Sequence, residues 1–151
     1  MSDTTASSRF DSAEASIDYM KRGAVGQSGF SNWLKVEPVI VWEGVSELTL
    51  ALRQEMTQHH GFAHGAIVGL MADNACVWAG ASLLGDVVTG GYTINFLRPA
   101  VGERLRAKGQ VIKPGKRQAV VRSDVFAESD NAEPVHVATA QATIIPTGRG
   151  R

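Results

Sequence analysis

The chain has 151 residues, 44% hydrophobic and 20% charged, with 15 basic side chains against 15 acidic ones. That length predicts one domain able to bury a core without disulfide or metal staples, and the composition excludes a disordered chain. A net charge of zero argues against a general nucleic-acid binder, and the single cysteine, Cys76, excludes an internal disulfide and fits a reducing cytoplasm.

Residues 1–10 are polar, lack the apolar stretch of a secretory signal and are expected to fray. Asp11 or Ser12 is placed to cap a short helix running to about Arg22, with Ala13, Ile17 and Met20 at helical spacing. Glycines at 23, 26 and 29 break it. Residues 33–42 read as a strand, in which Pro38 calls for an edge position or a bulge. After a turn at Glu43 and Gly44, residues 45–52 alternate, with Ser46, Leu48, Leu50 and Leu52 on one face, so the two runs predict a hairpin. A polar loop over 54–63 leads to His64, which opens a long helix from Gly65 to Leu84, ended by Gly85 and Asp86.

Four further strands are predicted: 87–97, closed by Arg98 and Pro99; 104–112, with Leu105, Ala107, Gly109 and Val111 on one face; 118–128; and 135–145, ended by Pro146. Lys113, Pro114, Gly115 and Lys116 form a turn between the second and third of these, and 129–133 another. Residues 147–151 read as a loose tail, which leaves 11–146 as the expected domain.

The long helix has the length of a membrane span. Asp73 and Asn74 sit near its middle, however, where a charge costs at least ~2.5 kcal/mol in lipid, so the helix is expected inside protein and no membrane partner is implied. It is apolar on every side, which a surface helix would not need. The strands can supply a curved antiparallel sheet wrapped round it, an α+β architecture.

Asp73 is the only charged residue in that helix. A buried, unpaired carboxylate is costly. Two readings follow: a general base or nucleophile, or a structural carboxylate bonded to a nearby hydroxyl or amide. His59, His60 and His64 with Asp73 match no common zinc spacing, so no metal is expected. His64 is expected to cap the helix or line a site entrance, and His59 and His60 to be solvated. Cys76, one turn past Asp73, reads as core filling, because a neighbouring carboxylate disfavours the thiolate.

The run His64-Gly65-Ala66-Ile67-Val68-Gly69-Leu70-Met71-Ala72-Asp73, followed by Thr93-Ile94-Asn95-Phe96-Leu97-Arg98-Pro99 and Gly102-Glu103-Arg104-Leu105-Arg106-Ala107, resembles the hotdog-fold acyl-CoA thioesterases of the phenylacetate-degradation type. The resemblance covers about residues 36–145. It implies a hotdog fold and hydrolysis of an acyl-CoA, with an aromatic or medium-chain acyl group, to free acid and CoA without a cofactor. It implies that Asp73 is catalytic, that the Gly65 N–H polarises the thioester carbonyl, and that Gln58 orients the attacking water or the carbonyl. Relatives carry a polar residue on the strand facing the helix near Gly91; here Gly90 and Gly91 stand instead. Thr89, two residues away, is expected on the same face and able to substitute, and Gly91 to widen the substrate pocket.

Asp73 lies eight residues beyond Gly65, ~12 Å along a helix axis. One helix therefore cannot bring both to a single thioester carbon, and a homodimer or homotetramer with sites shared between subunits is expected. Eight of the fifteen cationic residues fall between Arg98 and Arg122, with Glu103 the only acid among them. Lys113, Lys116 and Arg117 in the turn are the candidates for the coenzyme A phosphates, a solvated strand face being the plainer reading. Two other functions fit: a non-catalytic acyl-CoA binding module or sensor, and, less well, a hotdog hydratase or dehydratase, since His64 is nine residues from Asp73.

Overall fold

Twenty consecutive residues without a proline, mostly small or aliphatic, form one unbroken helix, α3 (Gly65–Leu84). Its start is fixed by His64, whose Nδ1 accepts the Ala66 N–H at 3.0 Å. Its end is fixed by Gly85 at φ 86°, a conformation that favours glycine. The computed structural model describes residues 9–148. The expected frayed start lies outside the described residues up to residue 8, and the expected loose tail from 149 on. Of that tail, Thr147 is held, its hydroxyl 2.8 Å from Asp86 Oδ2.

Six strands form one antiparallel sheet: β1 (Glu37–Trp42), β2 (Val45–Ala51), β3 (Val87–Phe96), β4 (Arg104–Lys113), β5 (Ala119–Glu128) and β6 (Val135–Pro146), in the order β1-β2-β4-β5-β6-β3. The hairpin at Glu43 and Gly44 turns through two positive φ angles, 46° and 80°, as a right-twisted two-residue hairpin requires. Pro38 meets both expectations: β1 is an edge strand, and its register with β2 shifts between Pro38 and Ile40. Leu48, Leu50, Leu105, Ala107, Val125 and Ala138 line the concave face against Val68, Met71, Ala72 and Ala75 of α3.

Close approach of helix and sheet is secured by two serines and a glycine. The Ser46 hydroxyl donates to the Ala75 carbonyl at 2.6 Å, and Ser123 to the Ala72 carbonyl at 2.9 Å. A Cβ on Gly109 would run into the Ala75 backbone. α3 has the length and composition of a membrane span, but more than half of its most apolar window is buried under the sheet, so it is the core helix.

The N-terminal segment differs from the sequence expectation. Ser12 caps α1 (Ala13–Met20), which runs on into a π-helical turn over Lys21–Val25. Residues 33–36 are not strand. Ser28 caps a second short helix, α2 (Gly29–Leu34), and β1 begins only at Glu37. Trp33 biases the local pattern toward strand, whereas the Ser28 hydroxyl, accepting the Ser31 N–H at 3.2 Å, selects helix.

Candidate active site

The sheet covers one side of α3. On the other side a stripe that includes Ile67, Leu70, Asp73, Asn74, Val77 and Ala81 stays half-buried. The expected curved sheet round a central helix is present, and it leaves this one stripe of the helix only partly covered. Asn74 Nδ2 is buried there without a hydrogen-bond partner among the described residues.

Edge strand β3 runs along one border of this stripe. Phe96 lies against Gly65, the Tyr92 hydroxyl against Gly69, and the Thr89 hydroxyl donates to Asp73 Oδ1 at 2.7 Å. Residues 65, 69 and 73 stand one turn apart on a helix. Asp73 Oδ2 has no hydrogen-bond partner among the described residues.

Gly91 does not share a face with Thr89. The pairing of β3 with β6 shifts between Thr89 and Gly91, leaving Gly90 as the extra residue. Thr89 pairs with Ile144, whose side chain points into the core, while Gly91 pairs with Thr143 on the outer face. The alternation expected from the sequence is thus broken by one bulge, and Gly91 does not widen a pocket beside Asp73.

Gly65 and Gln58 come together at the N-terminal end of α3. With Phe62, Phe96, Leu97 and Arg98 they line a cleft of about 380 Å³. Because the His64 ring takes the Ala66 N–H, the Gly65 N–H is left without a partner among the described residues. An unpaired amide at a helix start is a ready partner for an oxyanion. Phe96 and Arg98 were legible only as parts of a motif; the fold makes them walls of the cleft. His59 and His60 are exposed, their rings tilted by 42° with centroids 3.9 Å apart. Among the described residues, no group of three or more His, Cys, Asp or Glu is placed to hold a metal ion.

Asp73 and Gly65 stand eight residues apart on α3, ~12 Å along its axis. Burial pushes the Cys76 thiol up to about 11, the nearby Asp73 charge adding to the effect. With its Sγ 3.7 Å from the Val121 carbonyl, Cys76 is core rather than nucleophile.

The basic residues divide into two sets. Arg104 pairs with Glu128 and Asp130, Arg106 with Glu128 and Glu47, and Arg122 with Asp124, all on the outer face of the sheet. Lys113, Lys116 and Arg117 are exposed on the β4–β5 turn and make no ion pair among the described residues. Register places Lys113 opposite Val120, Val120 opposite Thr143 and Thr143 opposite Gly91. The turn thus lies level with Thr89 and Asp73, three strand spacings or ~14 Å across the sheet.

The thioesterase superfamily's sequence model matches residues 60–133, a span that holds Gly65, Asp73, Thr89 and the basic turn. A protein of Saccharolobus solfataricus named as a candidate esterase is 31% identical over 108 residues, 70% of this chain and 71% of its own length. The acyl-coenzyme A thioesterase PaaI of Escherichia coli is 32% identical over 88 residues, 58% of this chain and 63% of its own. The crystal structure of a thioesterase family protein from Silicibacter pomeroyi superposes with a TM-score of 0.80 at 31% identity, covering 85% of this chain and 96% of that one. With its six-stranded antiparallel sheet curved over one central helix, the chain belongs to the thioesterase superfamily as a hotdog-fold, PaaI-like thioester hydrolase.

Proposed function

We propose that the substrate is an acyl-CoA and that the working unit is at least a dimer, in which Asp73 of one subunit faces the Gly65 N–H of the other. The observation that carries this is the half-engaged Asp73 carboxylate: Thr89 fixes Oδ1, while Oδ2 is free to act as a base or a nucleophile. Separation of Asp73 and Gly65 along one helix supports the shared site, as do the half-buried apolar stripe on α3 and the unpaired edge of β3.

In this reading the thioester oxygen accepts the partner's Gly65 N–H, so charge developing on that oxygen meets an amide already in place. Gln58, beside that amide, orients the water or the carbonyl. Oδ2 of Asp73 then removes a proton from water as it attacks the carbonyl carbon. Alternatively, Oδ2 attacks and forms an anhydride that water cleaves. Both routes expel the CoA thiolate and leave the free acid. Lys113, Lys116 and Arg117 meet the nucleotide phosphates, and His64 acts as the cap that keeps the Gly65 N–H free. The cytoplasm, where acyl-CoA is made and used, is the proposed compartment.

The test is a panel of acyl-CoA thioesters with a thiol reagent, run on wild type and on Asp73→Asn. The expected outcome is thiol release by the wild type and a loss of at least ~100-fold in kcat for the variant, with the melting temperature retained. Tight acyl-CoA binding with no thiol release would instead identify a binding module.

A further inference from the structure

A second cavity, of about 560 Å³, lies between the N-terminal segment and the C-terminal half of α3. Its size falls in the ordinary range for small-molecule pockets. Val77, Trp78 and Ala81 of α3 and Val87 of β3 form one wall; in the other, Met20 and Gly23 stand beside the polar Arg22, Gln27 and Ser28. Val77 is one turn, ~6 Å, beyond Asp73 on the half-buried stripe. Val87 precedes Thr89 by two residues on β3. The hydrogen-bonded Asp73–Thr89 pair is not part of the lining; Asp73 precedes the lining residue Val77 by one helical turn, and the cavity extends from Val77 toward the end of α3.

The N-terminal wall has an unusual construction. α1 passes directly into the π-helical turn Lys21–Val25, and such wide turns are rare and frequent at functional sites. Gly23 sits in that turn, and a Cβ added there would meet nothing within 4 Å. Neither backbone strain nor close packing accounts for a glycine at that position; its effect is to leave the cavity open. The wall of α3 and β3 falls within the superfamily match at 60–133, whereas the wall of α1 and the π-turn falls outside it.

We infer that this cavity is the acyl pocket, and that the N-terminal segment, through Met20 and the open position at Gly23, selects apolar acyl groups of medium length. The assignment rests on the thioesterase reading above. A thioester carbon beside Asp73 directs its acyl chain along Val77 and Ala81 into the cavity, while the CoA portion leaves on the other side of the carbonyl. The machinery for hydrolysis thus comes from the superfamily core, and the choice of acyl group from the segment added before it.

Two variants fill the cavity from opposite walls: Gly23→Leu in the π-turn and Ala81→Leu on α3. Two measurements apply to each. The first is the ratio of kcat/KM for decanoyl-CoA to that for acetyl-CoA. The second is the ratio of calorimetric affinities for 2-oxoundecyl-CoA and 2-oxopropyl-CoA, non-hydrolysable thioethers in which a methylene separates the sulfur from the carbonyl, which needs no turnover. The expected result is a fall of at least tenfold in both ratios for both variants. Unchanged ratios, equal losses on both acyl groups, or a wild type that binds the two thioethers alike would overturn the assignment. A wild type that hydrolyses no thioester yet loses its decanoyl preference on filling the cavity would overturn the thioesterase reading and leave the pocket standing.

Discussion

The two sides of α3 have opposite constructions. The sheet-facing side is buried, with Met71, Ala72, Ala75 and Ala79 fully covered and its contacts closed by Ser46 and Ser123 hydroxyls. The other side carries Asp73, Asn74, Leu70 and Val77, all half-buried, and holds a carboxylate with one oxygen unengaged. Stability is concentrated on the first side and the proposed chemistry on the second, so the two should respond independently to mutation. In the proposed dimer, a carboxylate presented at the subunit boundary needs the opposite side of its helix rigid enough to fix its position.

The sharpest test of this division uses two inactive proteins. Gly65 occupies the first turn of α3, where proline is well tolerated, and His64 at φ −62° and ψ 138° already has the backbone that a following proline requires. Gly65→Pro should remove the N–H, and with it the activity, without unfolding the helix. Mixing it with Asp73→Asn should give a heterodimer holding one intact site. With full random exchange half of the dimers are mixed, so about a quarter of wild-type activity should return. No recovery despite exchange shown by mass spectrometry would place both groups of a site in one chain.

On the opposite side, Leu48→Ala should cost ~2–5 kcal/mol of stability, since its side chain is fully buried in the main core. Denaturant titration reads the loss, and kcat at a temperature where the variant remains folded should stay within a fewfold of wild type. A large drop in kcat without loss of stability would mean that the sheet-facing side also tunes the chemistry.

Much of this division was legible in the sequence. The capping His64 and the unbroken run to Leu84 marked the helix, and the lone Asp73 marked its one charged side chain, because length, caps and charge are local properties. The alternation in β2 and β4 placed Ser46, Leu48, Leu105 and Ala107 on the core side. What failed depended on tertiary register. The bulge at Gly90 sends Gly91 to the outer face, and nothing local distinguishes it from Gly91 as the extra residue. Arg104, Arg106 and Arg122 belong to the cationic run over 98–122, yet they are paired by acids on neighbouring strands and, for Arg122, by Asp124 two residues on. The cavity under α1 required the packing of segments some sixty residues apart, which no periodicity records.

Glu128 carries the paired network on the outer face. The Arg106 guanidinium, followed by Arg104, holds its carboxyl below the ordinary value of 4.5. A carboxylate with a lowered folded pKa stabilises the fold above its unfolded pKa, and that contribution is lost as pH falls through the folded value. Wild type should therefore exceed Glu128→Gln in stability at neutral pH, and the gap should close as the pH is taken below about 4.5. Chemical denaturation at several pH values reads this directly, and a gap independent of pH would show that the network acts through packing. With the proposed site on the other side of α3, activity should follow the same pH course in both proteins.

The smallest effect is expected at the turn that joins β4 and β5. Its Lys113, Lys116 and Arg117 make no ion pair among the described residues, and they lie level with Asp73. A phosphate contact so far from the reacting carbon binds ground state and transition state alike, so its removal should raise KM more than it lowers kcat. Each exposed contact is worth ~0.5–1 kcal/mol and weakens with salt. Changing all three to Ala should therefore raise KM for an acyl-CoA at low ionic strength, with the difference shrinking as salt is added. An acyl-pantetheine thioester lacks the phosphates yet offers the same carbonyl, and its KM should not change. Equal losses on the two substrates would mean that the turn serves the fold and that the phosphates bind elsewhere.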